Sequence, residues 1–203
     1  MAISAQDKIM YVANKLGLST LNQMQGSTGA VYDTDISNVG ILFGNASQHT
    51  FPAQTNVTEN KFEVNSALLI ETIAFYRLDS QGVPLNLLFP ANGLVGTDVL
   101  VFDLIIGNKV VMKDTPIFLG GGPTTFASMP KVDTFGQEAT IPRHQIFLEG
   151  AGILIPPQVE WSIQYSIYNF TTGAKKQVNP QTDGTIAAYL FGTRVLLNFN
   201  TTL

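Results

Sequence analysis

Residues 159–169 read VEWSIQYSIYN, with Val159, Trp161, Ile163, Tyr165 and Ile167 at one parity and Glu160, Ser162, Gln164 and Ser166 at the other. Successive side chains of a strand point to opposite faces, so this segment is a strand with one apolar and one polar face. A sheet of such strands must cover its apolar face with a second layer. From Ala30 onward the chain keeps this grammar, with short β-prone runs at 39–43, 61–64, 67–78, 98–106, 109–113, 117–119, 145–148, 152–155, 159–169, 185–191 and 194–199. Gly, Pro, Asn and Asp punctuate them, and they are too many for one sheet of ordinary size. The expected fold is all-β, an antiparallel β-sandwich.

Several positions carry a specific backbone demand. Gly107-Asn108, between LVFDLII and KVVMK, suits the two-residue turn of a tight hairpin. Pro156-Pro157 cannot donate to a ladder and forces an extended kink before the alternating strand. Gly192 marks a bulge or bend that divides the last β stretch. The run ALLIETIAFYRL at 67–78 is apolar on both faces for much of its length, as in a central strand.

Ahead of this region, residues 4–16 predict one helix. Ser4 is placed to cap it, Asp7 stands three residues on, and Gly17 is placed to end it. Ile9, Val12, Ala13 and Leu16 fall on one face, and a further helical turn is expected over 20–25. The apolar stripe can pack on the chain's own β domain or, through Ile9, Val12 and Leu16, on a neighbouring subunit. The domain reading is a helical arm at 1–29 and a β-sandwich at 30–203, without internal repeats.

Composition narrows the function classes. A chain of 203 residues can bury about 70% of its extended surface, enough for one full core. It has no cysteine, which excludes disulfides and Cys-ligated metals. Net charge is −4, without the basic excess of a nucleic-acid binder. Thr, Asn, Gln and Ser number 56 against 26 charged residues. Amides and hydroxyls cost less to desolvate than charges, so such a surface suits being covered by other protein. No signal peptide is indicated at the start, and no apolar run approaches the ~20 residues of a membrane span.

Catalytic signatures are sparse in the chain. His49 and His144 are the only histidines, too few and too far apart for a clustered metal site. Ser47-Gln48-His49 lacks the nucleophile elbow, and Arg143-His144 reads as a solvated or hydrogen-bonded pair. Asp33 and Asp35 share a strand face and could contribute to a calcium site, but no calcium loop surrounds them. Asp98/Asp103 and Glu59/Glu63 are further carboxylate pairs without a way to select them. Gly120-Gly121-Gly122 precedes Pro123 rather than a phosphate-binding Lys-Ser/Thr. Lys175-Lys176 reads as a solvated hairpin end. The expectation is no enzyme, no cofactor and no metal.

The order of features resembles a known family. A helical arm precedes the Phe/Asn-rich TFPAQTNVTENKFEV; then come ALLIETIAFYRL, the hairpin IIGNKVV, ILIPPQVEWSIQYSI and a closing IAAYLFGTRVLLNF. Over residues 38–199 this resembles bacteriophage virion structural proteins of the viral jelly-roll type. The resemblance implies a single jelly roll, and a capsid or capsid-associated protein that self-assembles with copies of itself and other virion proteins. It also implies localisation in the virion after assembly in the host cytoplasm. The Arg/Lys-rich arm of genome-binding coat proteins is missing, since residues 1–30 hold only Lys8 and Lys15. Direct nucleic-acid binding is therefore not expected. The alternative is a β-sandwich module that binds carbohydrate or a receptor, borne on a virion or not. Tyr76, Trp161 or Tyr168 would then stack on sugar, although the parity of Trp161 points it into the core.

Overall fold

The computed structural model describes residues 4–18, 24–78, 98–118, 131–132, 138–139, 144–148, 152–169, 171–176 and 184–197. In chain order these form α1 (Ala5–Leu16), β1 (Gln25–Thr34), β2 (Ile41–Leu42), β3 (Ser66–Leu78), β4 (Asp98–Ile106) and β5 (Lys109–Phe118). Then follow β6 (Lys131–Val132), β7 (Glu138–Ala139), β8 (His144–Phe147), β9 (Ile153–Ile155), β10 (Trp161–Asn169), β11 (Lys175–Lys176) and β12 (Thr185–Leu196).

Two antiparallel sheets carry the architecture. Sheet A runs β1-β12-β3-β8, with β9 beside the other half of β3, so β8 and β9 share one edge. Sheet B runs β11-β10-β4-β5, with β2 on the same edge of β10 as β11. Successive strands of the two sheets alternate between them, except from β8 to β9, from β10 to β11 and at the β4–β5 hairpin, where Ile106 pairs with Lys109 around Gly107 at φ 59°. Among the described residues β6 and β7 pair only with each other.

The sheets face each other across one core. Sheet A contributes Leu68, Ile70, Ile73, Phe75, Ile186, Ala188 and Leu190, and sheet B contributes Leu100, Phe102, Leu104, Ile163, Tyr165 and Ile167. Phe75 and Phe102 meet across the gap with ring centroids 4.9 Å apart. At one end Trp161 is buried and packs against Phe43 and Phe62 at 4.4 and 5.9 Å. The alternation of 159–169 thus becomes β10 with its apolar parity inward, and Gln164 is exposed on the far face.

A bulge resolves why 67–78 is apolar on both faces. Phe191 pairs with Thr72 and Gly192 with Ile70, leaving Glu71 as the extra residue of β3. The inward parity therefore shifts from Leu68 and Ile70 to Ile73 and Phe75. Ala67 and Leu69 face the other way and are covered by α1. A Cβ on Gly192 would overlap the Leu69 carbonyl oxygen, so the backbones can cross here only at glycine. β12 continues through this point as one strand rather than two.

The helix forms as its caps predict. The Ser4 hydroxyl oxygen accepts from Asp7 N at 3.1 Å, and Gly17 closes the other end at φ 69°. Val12 is buried with Ala67, Leu69, Val195 and Leu197, and Leu16 packs on the same cluster. Ile9 lies over Gly26. Lys8 Nζ binds Glu71 Oε2 at 2.7 Å, and the Thr193 hydroxyl donates to Glu71 Oε1 at 2.7 Å. The stripe proposed for either destination is thus packed on the outer face of sheet A.

Other expectations need adjustment. β1 begins at Gln25, ahead of the change of grammar at Ala30, because QGSTGA has no alternating apolar signal. Gln25 is strand, not the end of a helical turn; the rest of that expectation, at 20–23, lies outside the described residues. The runs at 109–113 and 117–119 join into the edge strand β5, with Asp114 at φ 48° between them and Pro116 tolerated at the edge. The run at 61–64 is not a strand, although Phe62 makes an isolated bridge to Pro157. Gly120-Gly121-Gly122, Arg143, Leu119, residues 198–199 and the side chains of His144 and Asp98 lie outside the described residues. No helix among the described residues is long and apolar enough to cross a membrane.

Candidate functional site

Three places on this frame gather side chains that could do chemistry or recognition. The first is a buried polar cluster where β1 leaves sheet A. Asp33 and Asp35 are 0% and 1% exposed. Asp33 Oδ2 accepts from Phe43 N at 2.6 Å, and its Oδ1 lies 2.6 Å from His49 Nδ1, whose side chain is only 6% exposed. An ionised carboxylate can only accept, so Nδ1 carries the proton in this contact. Asp35 accepts from Val39 N at 3.2 Å, Gly40 N at 2.7 Å and the Tyr165 hydroxyl at 2.9 Å. Burial, then the Asp35 charge and hydrogen bond, push the Tyr165 phenol far above its ordinary range and keep it a donor.

The cluster fastens the chain from 33 to 49 onto β10. The two aspartates suspected of calcium binding spend their oxygens on protein donors. Among the described residues no three His, Cys, Asp or Glu converge where a metal ion could sit. His49 has its orienting acid, but no hydroxyl or amine among the described residues hydrogen-bonds to it. Ser47 is exposed on a single 3-10 turn at 46–48.

The second place is the outer face of sheet A beside α1. Tyr32 and Tyr189 stack at 5.3 Å, Tyr189 and Phe191 at 5.9 Å, and Tyr76 meets Tyr189 edge-on at 5.1 Å. All four are half-buried and belong to three adjacent strands. Partial burial, with Tyr32 and Tyr76 adjacent, raises the Tyr189 phenol above its usual value. The Tyr32 hydroxyl donates to the Pro52 carbonyl, tying the row to the 51–54 loop, where Phe51 is exposed. Of these four only Tyr76 stands out in the sequence; the register that brings Tyr32 opposite Tyr189 is a long-range fact.

The third is a groove of about 330 Å³ on the outer face of sheet B. Its floor is set by strand pairing: Gln164 lies opposite Asp103, and Ser166 opposite Val101. Val39, Gly40 and Ile41 form one wall, and Asp114 and Tyr168 also line it. The β4–β5 register shifts around Asp103, and Asp114 N donates to Asp103 Oδ1 at 2.6 Å, so the bulge fixes that carboxylate. The Gln164 amide and the Ser166 and Tyr168 hydroxyls have no hydrogen-bond partner among the described residues. Of the aromatics suspected of stacking on sugar, Tyr168 thus lies in a groove, Tyr76 in the row on the opposite sheet, and Trp161 in the core, 1% exposed. Lys175-Lys176 does form a hairpin end, as β11 paired with Ile167 and Tyr168. No family model, curated protein or solved structure matches the chain.

Proposed function

We propose that the chain is a structural component of a virus particle, a jelly-roll subunit that forms or decorates a capsid shell by self-assembly. One observation carries the reading: the strand pairs nest. With β8 and β9 taken as one edge strand, β6, β7 and β11 set aside and β2 kept although it too is only two residues long, eight strands remain. In chain order the first pairs with the eighth (β1 with β12), the second with the seventh (β2 with β10), the third with the sixth (β3 with β8 and β9), and the fourth with the fifth (β4 with β5). A long hairpin folded over on itself gives this nesting, the plan of the double-sheet jelly roll.

In this reading the sandwich is a rigid brick and its function is geometric. The aromatic row on sheet A supplies a contact surface of the composition that interfaces favour. Repeated weak contacts of this kind add up when symmetry closes them. The chain itself performs no catalysis, and with only Lys8 and Lys15 near its start it does not neutralise packaged genome. Light scattering on the purified chain and on Tyr189→Lys tests this. Wild type is expected to form large species that the variant loses while keeping its fold; a wild type that is monomeric at every concentration overturns the reading.

A second reading, a β-sandwich module that binds carbohydrate or a receptor, including one carried on a virion, is favoured by Tyr168 and the free polar groups of the groove on sheet B.

A further inference from the structure

Resting on the second of these readings, we infer that the groove on the outer face of sheet B is a binding site for an uncharged hexopyranose unit of a glycan. The chemistry of the lining selects this class. Sugar hydroxyls need donors and acceptors that are not already spent, held in a fixed geometry. Asp103 is held by Asp114 N at its Oδ1, and its Oδ2 has no hydrogen-bond partner among the described residues. Gln164 lies directly across the ladder from it, so one carboxylate oxygen and one amide face the same space. Neighbouring hydroxyls of a pyranose can bridge such a pair, donating to the carboxylate and accepting from the amide.

Ser166 and Tyr168 follow Gln164 at two-residue intervals on the same outward parity of β10. The Tyr168 ring offers an apolar surface to the C–H face of the sugar, and its hydroxyl a polar tip. Ile41 stands opposite Gln164 on the side of β10 away from Asp103, and with Val39 it gives the groove an apolar wall facing the carboxylate side.

Charge sets the selectivity. Asp103 and Asp114 both line the groove beneath the site; of the nearby cations among the described residues, Lys113 lies 4.0 Å from Asp114 on an exposed side chain and Lys175 stands opposite Tyr168 at the far end. An anionic sugar would bring a third carboxylate against two, so sialic and uronic acids are disfavoured. The groove is open and shallow, and a single sugar ring of about a dozen heavy atoms binds such a surface with Kd on the order of 1 mM.

The test is ligand-observed NMR on the full chain. Methyl glycosides of glucose, galactose and mannose would be titrated beside N-acetylneuraminic acid, with wild type, Gln164→Ala, Tyr168→Ala and, as a control on the exposed face of α1, Asn14→Ala. Gln164 is exposed, so its variant folds as wild type does. At least one neutral glycoside is expected to bind wild type and Asn14→Ala alike, to weaken about tenfold or more in each groove variant, and to outcompete N-acetylneuraminic acid. Equal binding to wild type and both groove variants overturns the groove assignment while leaving the module reading intact. Tighter binding of N-acetylneuraminic acid overturns the ligand class. Absence of binding by every glycoside at 10 mM (about tenfold above the expected Kd) overturns the site, and leaves only the receptor-binding form of the module reading.

Discussion

Asn38 shows what individual residues spend to hold this frame. It sits at φ 50° in the turn that Asp35 fastens, and both of its amide atoms are buried without a hydrogen-bond partner. Asn tolerates the left-handed region better than other side chains, yet an unsatisfied buried amide costs about 1–3 kcal/mol. Asn38→Gly keeps the turn and removes the orphan atoms. It should raise the denaturant midpoint, by about 1 kcal/mol of stability; a loss of stability would show that the amide has a role the hydrogen bonding does not reveal. The pairings of Asp33 with His49 and of Asp35 with Tyr165 were not legible from the sequence. Asp35 and Tyr165 are 130 residues apart, and no local pattern links an aspartate in a turn to a tyrosine whose parity already placed it in the core.

At the scale of elements, the bulge and the helix each make a claim. Gly192 is the crossing point of β12 over β3, and a Cβ there meets backbone that no rotamer change can move. Gly192→Ala should therefore cost about 2–4 kcal/mol in chemical denaturation, and a cost below about 0.5 kcal/mol would mean that the bulge is not fixed by contact. Glu71, the residue the bulge inserts, anchors α1. Burial raises its carboxyl, but the Lys8 and Thr193 hydrogen bonds and the Lys8 charge outweigh burial and leave it below its ordinary value of 4.5. A carboxyl whose pKa is lower in the folded chain adds stability above the unfolded value of about 4.5 and loses it as pH falls through the folded value. Wild type should thus lose thermal stability on acidification below about pH 4.5, and Glu71→Gln should flatten that limb and lie below wild type at neutral pH. An unchanged acid limb would place the titration elsewhere. The helix itself was legible to its caps, since capping and a 3.6-residue stripe are local signals. β1 was hidden, because its glycines sit under Ile9 and the Arg194 side chain, and small residues chosen for close approach erase the period of two.

For the whole molecule, the sequence showed two facing layers and an N-terminal helix, while the order of strands within each layer came only from the structure. Pairing of β1 with β12 joins residues 25–34 to 187–196, and parity cannot tell which distant strands meet. That long-range order is what turns a β-rich chain with few charges into a candidate shell subunit. Its polar faces and aromatic row have the composition of surfaces another copy can cover. The most direct test is electron cryomicroscopy of the purified full chain over a wide concentration range. Closed rings, lattices or shells with the Tyr32–Tyr189–Phe191 face at a contact between copies are the predicted result. Isolated monomers throughout, or assemblies that leave this face in solvent, would contradict the account.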